Sequence, residues 1–184
     1  MKNFSRFFLA VFFVSSLSSC AFLDRFNKAP ELDFLDRGSK IDLKKFFNGE
    51  IEAFAITQDE NGKISGTQTA KISGKWDENK GVIQQNFIYA DGTKDSRTWL
   101  ITINSDGTFD AVGHDVTSPA KGKQSGNAAQ MIYSLSLAGK DGKQEVKFED
   151  KMYLVDDKSM IMISNFKRGY SSSGKSIFSL KKIN

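Results

Sequence analysis

From Glu50 onward the chain alternates. Gly66, Gln68, Ala70, Ile72, Gly74 and Trp76 share one parity, and Thr67, Thr69, Lys71, Ser73 and Lys75 share the other. Ile83, Phe87 and Tyr89 fall together in the next run, as do Trp99, Ile101 and Ile103 in the one after it. Met131, Tyr133, Leu135 and Leu137 alternate with mostly small polar residues, and Val146, Phe148, Met152 and Leu154 alternate with Lys147, Glu149 and Lys151. Successive side chains of a strand point to opposite faces, so a period of two with one apolar face marks half-buried antiparallel strands. Asn61-Gly62, Asp91-Gly92, Asp106-Gly107 and Asp141-Gly142 break the runs, and their glycines supply the positive φ that tight hairpins need. Further breaks fall at 77–81, 156–158 and 171–174. The count is about eight to ten strands, and a meander of that size closes on itself to remove its exposed edges. The predicted fold is all-β, an antiparallel up-and-down barrel, with a two-sheet β-sandwich as the alternative. A short N-terminal helical turn over Asp42-Leu43-Lys44-Lys45-Phe46-Phe47 precedes it and stops at Asn48-Gly49.

The first twenty residues follow a different rule. Lys2 and Arg6 give a positive end, Phe7 through Leu17 an apolar run, and Ser18-Ser19 a small-residue stretch before the only cysteine, Cys20. This is the layout of an export signal. The apolar run is roughly a dozen residues, short of the about 20 that a membrane-spanning helix needs. Leu17-Ser18-Ser19-Cys20 resembles the lipobox of bacterial lipoproteins, in which cleavage falls before the cysteine and its thiol carries a diacylglycerol. The other readings are an ordinary export signal with a leftover free thiol, or a cytosolic chain with an apolar start. The lipobox divides the chain into a signal peptide over 1–19, a lipidated tether over 20–40 and a single barrel domain over 41–184. It implies a membrane partner held through lipid on Cys20, since stable anchoring takes at least two lipid signals. Ala21 stands where an aspartate would signal inner-membrane retention, which favours the outer membrane, facing the periplasm.

Composition narrows the partners further. The formal charge of +4 falls to +2 once Lys2 and Arg6 leave with the signal. No mature stretch is a dense basic cluster, so no nucleic acid is expected. With one cysteine there is no internal disulfide, and the domain is held by its core alone.

Phe46-Phe47-Asn48-Gly49, Gly74-Lys75-Trp76, Phe87-Ile88-Tyr89-Ala90-Asp91-Gly92 and Arg97-Thr98-Trp99 occur in that order. They are followed by Asp115-Val116, Ala120-Lys121-Gly122, Gly126-Asn127-Ala128 and Phe148-Glu149-Asp150-Lys151-Met152. Together they resemble the DUF3833 family of Gram-negative bacterial lipoproteins over almost the whole mature domain. The resemblance implies an exported lipoprotein with a lipocalin-like barrel and brings no assigned activity with it. Phe54 and Lys151 depart from the pattern, which carries tryptophans there.

Two charges fall on apolar parity. Arg97 shares its face with Trp99, Ile101 and Ile103, and Asp150 shares its face with Phe148, Met152 and Leu154. A buried charge without a partner is costly. Either Arg97 binds an anionic head group inside the barrel with Asp150 and Tyr89 nearby, or Arg97 and Asp150 form a structural ion pair. In the first reading the ligand is a small apolar or amphipathic molecule, a fatty acid or phospholipid. Its chain lies among Trp76, Phe87, Trp99, Phe109, Tyr133 and Phe148, where burial contributes about 25 cal/mol per Å². The rival is a barrel packed solid by its own side chains, a scaffold docking an envelope protein; interior volume separates the two.

No cofactor, metal site or enzyme is expected. His114 is the only histidine and reads as solvent-facing. Ala120 to Gly126 looks like a phosphate loop but lacks its spacing and its following helix, so it reads as glycine-rich strand. Met131, Met152, Met160 and Met162 read first as core, with an adaptable pocket lining as the alternative, and Lys181-Lys182 as a solvated basic pair, with contact to anionic lipid as the alternative.

Overall fold

The computed structural model describes residues 34, 38–139, 142–169 and 172–183. The export signal, Cys20, Ala21, most of the 20–40 tether, and Asp141 of the fourth turn dipeptide lie outside them. The chain forms ten strands: β1 Gly49–Asp59, β2 Ile64–Asp77, β3 Lys80–Tyr89, β4 Lys94–Ile103, β5 Thr108–Val112, β6 Val116–Ser125, β7 Ala128–Gly139, β8 Gly142–Asp156, β9 Ser159–Arg168 and β10 Ser172–Lys182. Each pairs antiparallel with its neighbour in sequence, and β1 pairs antiparallel with β10, from Ile51 opposite Lys182 to Asp59 opposite Gly174. The result is a closed up-and-down barrel; the sandwich is excluded because the ladder has no break.

The parity read from the sequence is the inside–outside division. Ile51, Ala53, Ala70, Ile72, Ile83, Trp99, Ile101, Phe109, Met131, Tyr133, Leu135, Met152 and Leu180 are buried together. Their neighbours Glu52, Lys71, Gln84, Thr98 and Leu100 are exposed. The outer wall also carries Phe54 and Ile88, both exposed, on β1 and β3.

Three hairpins share one turn, and it differs in length from the two-residue loop that Asn-Gly and Asp-Gly most often mark. The amide of Gly62 donates to the carbonyl of Asp59, Gly92 to Tyr89 and Gly107 to Asn104, at 2.9–3.1 Å. The next amide-carbonyl pair closes each loop over three residues, with glycine φ values of 79°, 81° and 82°. Among the described residues the only non-glycine with positive φ is Glu78, so the Asn or Asp before each glycine stays right-handed. This is a type I turn followed by a left-handed glycine, the three-residue solution. Asp91 and Asp106 accept from the amides and hydroxyls of Thr93 and Thr108, which holds both carboxyls below their ordinary range.

One end of the barrel is sealed by α1, Leu43–Phe46. Asp42 caps its start by accepting from the Lys45 amide at 3.1 Å. The Ile41 amide bonds the Gly126 carbonyl, and the Leu43 amide bonds Oε1 of Gln124 at 3.0 Å, tying α1 to the β6–β7 turn. At its other end Nζ of Lys182 donates to the carbonyls of Lys45, Phe46 and Asn48, which the helix leaves open. Lys182 is therefore a clamp from the last strand onto the helix, not half of a solvated pair; its ammonium is only partly exposed, and burial lowers its pKa.

Gly74 makes this seal possible, because a Cβ there would run into the carbonyl of Phe47. Gly74→Ala is expected to cost about 2 kcal/mol through overpacking, which lowers Tm by roughly 4–8 °C for a chain of this size. Gly66→Ala, where a Cβ meets nothing within 4 Å, serves as the control and should leave Tm unchanged.

Candidate functional site

The barrel is not packed solid. A cavity of about 190 Å³ remains between its walls. Near α1 it is apolar, lined by Leu43, Phe47, Ile72, Ile83, Ile101 and Leu180. Across its middle the Trp99 ring meets Tyr133 edge-on, with centroids 5.1 Å apart, and Tyr133 stacks on Phe148 at 5.1 Å. The opposite mouth is polar: Gln68, Gln85, Tyr89, Asp95, Arg97 and Ser176 line it. Tyr89 and Asp95 are exposed, so the cavity reaches the surface beside the β3–β4 hairpin. A groove on the outer wall, between Phe54, Ile56, Ile88, Ile161 and Ile177, has no charged side chain in its lining. Convergent polar groups single out the interior.

The two inward charges find different partners from the expected ones. Arg97 donates from Nε and Nη2 to Asp115 Oδ2 at 2.9 and 2.8 Å, and from Nε also to Oδ1 at 3.2 Å, with both side chains only 12–14% exposed. Burial works against the guanidinium charge, and the bonds and charge of Asp115 outweigh it, so the net pKa rises and Arg97 stays protonated. Asp150 does not pair with Arg97. It accepts from the Tyr133 hydroxyl at 2.9 Å, while its second oxygen has no partner of good hydrogen-bond geometry among the described residues. Ser164, opposite it in the β8–β9 ladder, places a hydroxyl nearby. Burial pushes the Asp150 carboxyl up to about 6, against the opposing pull of Ser164, Tyr133 and Arg97. Burial and the neighbouring Asp150 hold the Tyr133 phenol well above its ordinary value. Gln85, opposite Arg97 in the β3–β4 ladder, accepts from the Trp99 indole at 3.1 Å.

Of the sequence-predicted residues, Arg97, Trp99, Asp150, Tyr89, Phe87, Tyr133, Phe148 and Phe109 all line this one cavity. Trp76 does not. Its ring lies at the α1 end over Gly81, where a Cβ would stand 2.7 Å from the indole. Met131, Met152 and Met160 are buried core, as expected, and Met131, Met152 and Met162 also reach the cavity wall. The structural Arg97–Asp150 pair gives way to Arg97–Asp115, because Asp115 sits in the β5–β6 loop where strand parity carries no information. His114 beside it is exposed, and Ala120 to Ser125 belongs to β6. Gln68, Gln85, Ser164 and Ser176 were missed. All four share parity with apolar neighbours, which was the available signal.

A carboxyl near 6 could exchange protons at neutral pH, but the cavity lining brings it no histidine, lysine or cysteine. Among the described residues no cluster of His, Cys, Asp and Glu could hold a metal ion.

This architecture is a lipocalin-like, closed up-and-down barrel. The S-type phycobiliprotein lyase CPES from Guillardia theta matches over 78% of this chain and 94% of its own, with a TM-score of 0.57 and 7% identity. A redesigned β-barrel matches over 79% of this chain and all of its own, with a TM-score of 0.43 and 11% identity. No curated protein matches the sequence. The family model described as "Protein of unknown function (DUF3833)" matches residues 20–172, and the chain belongs to that family.

Asp115→Ala strands the Arg97 charge. The expected loss is about 2–3 kcal/mol by urea unfolding, below the cost of a fully buried pair because both side chains keep some water contact. Replacing both partners with Met and Leu should recover most of it.

For Asp150 the sign is opposite. A carboxyl whose folded-state pKa lies near 6 rather than 3.8 weakens the fold when it ionises. The penalty is absent below about pH 4, grows between pH 4 and 6, and is complete above. Asp150→Asn keeps an acceptor for Tyr133 and should stabilise the protein at pH 8 by up to about 3 kcal/mol. At pH 4 the two proteins should unfold alike.

Proposed function

We propose that this protein is a lipid-anchored binding protein that holds one small apolar or amphipathic molecule inside its barrel. The observation that carries the reading is the cavity: apolar at its base, aromatic at its waist, polar at its mouth and open to the surface. A slender ligand entering chain-first would bury its apolar part against Ile72, Ile83, Ile101, Trp99 and Phe148, each Å² contributing about 25 cal/mol. At about 190 Å³ the cavity falls below the 300–1,000 Å³ of drug-sized sites, so it suits a short or single chain rather than the two chains of a phospholipid. The similarity to a phycobiliprotein lyase supports a barrel fold and carries no further ligand information.

The anchoring half of the proposal rests on Leu17-Ser18-Ser19-Cys20, with Ala21 favouring the outer membrane and the periplasm. The packed scaffold loses its main support because the interior is not filled. An enzyme is not proposed, since Asp150 has no catalytic partner in the cavity lining.

The test is mass spectrometry of organic extracts from the mature chain with Cys20→Ser, purified without detergent from a bacterial periplasm. The anchoring reading expects that variant to leave the membrane fraction, and the binding reading expects a single-chain amphiphile in near-stoichiometric amount. Repeated absence of any ligand from a well-folded preparation would overturn the binding reading.

A further inference from the structure

The charges inside the cavity do not balance. Arg97 and Asp115 neutralise each other through three hydrogen bonds. That leaves Asp95 at the mouth and Asp150 across the ring, 5% exposed, with no lysine or histidine in the lining to offset them. The groups facing Asp150 are the Tyr133 hydroxyl from β7, Ser164 from β9 and, at longer range, Arg97 from β4 with Asp115 already upon it; Glu149 is its neighbour on β8. Tyr133 donates to Oδ2; the Ser164 hydroxyl also acts on the carboxyl, but Oδ1 has no hydrogen-bond partner of good geometry among the described residues. A buried acceptor left open costs far more than one that is met.

We propose that the cavity selects amphiphiles whose polar end donates hydrogen bonds to Asp150, a protonated amine foremost and a hydroxyl next, and rejects carboxylates. This rests on the cavity being a ligand site and reverses the expected anionic head group. Arg97 cannot serve a carboxylate without giving up Asp115, whose own charge would then be stranded. A carboxylate beside Asp150 meets like charge in a poorly hydrated space. An ammonium meets an acceptor that Ser164 serves poorly and a charge that nothing in the lining offsets, an attraction that weakens as Asp150 takes up its proton.

Octylamine, octanol and octanoate share one chain, so differences among them report the head group alone. Calorimetric titration of the whole mature chain, with Cys20→Ser and no detergent, should at pH 8 give octylamine at least tenfold tighter than octanoate, with octanol between. Octylamine affinity should fall about tenfold from pH 8 to pH 5, as Asp150 protonates and its charge no longer favours the cation. Asp150→Asn should abolish that pH dependence and weaken octylamine at least tenfold, without weakening octanoate. If the variant does not fold, the wild-type comparison at the two pH values decides alone. Octanoate binding as tightly as octylamine, or octylamine binding independent of pH, overturns the selectivity while leaving the cavity reading intact. A folded chain that binds none of the three overturns both.

Discussion

A ring of ten strands encloses a fixed interior, and every inward side chain competes for that space. The sequence meets the limit with small residues on the inner face: Ala53, Ala55, Ala70, Ala111, Ala120 and Ala129 are all buried. Large rings are then seated over glycines. Phe109 lies on Gly122, Trp76 on Gly81 and Phe166 on Gly174, and a Cβ at any of these would overlap the ring. What the rings and α1 leave unfilled is the cavity. Ala53 of β1 and Ala70 of β2 form part of its wall.

The same shortage of space governs the charges. Polar groups admitted to such an interior must be satisfied within it, and the barrel does so by pairing across adjacent strands or reaching into a loop. Arg97 takes Asp115 from the β5–β6 connection, Trp99 takes Gln85 from β3, and Thr57 takes Ser176 from β10 at 2.8 Å. Two groups are less well met: Asp150 has only one of its oxygens well served, and the Trp76 indole N–H has no hydrogen-bond partner among the described residues. Of these two under-served groups only Asp150 lines the cavity. That contrast directs attention to it as a functional group.

Strand positions were legible from the sequence because a one-residue slip would turn every inward residue outward. Period two therefore places Trp99, Tyr133 and Phe148 on one interior before any coordinates are known. It also places Trp76 there, and correctly, but parity says nothing of height along the barrel axis. Trp76 lies at the sealed end and Tyr89 at the mouth for that reason. Asp115 escaped because a loop has no parity. Lys182 escaped because its role depends on the C-terminus of the barrel meeting the helix that precedes β1, a contact between residues 136 positions apart. The turn glycines were legible as turns but not in length, since the same dipeptide ends both two- and three-residue loops.

The clamp from Lys182 has a bearing on how the protein fails. The β1–β10 ladder is the seam where the first and last strands of the ring meet, and parting it would uncover two strand edges at once. The β1 edge carries outward Phe54 and Ile56, and the β9 edge beyond a detached β10 carries Ile161 and Ile163. Such edges template pairing between chains, and β-branched, aromatic segments of this kind stack readily into cross-β aggregates. By fastening the end of β10 to the helix ahead of β1, one lysine acts against the opening that would turn the barrel into a seed.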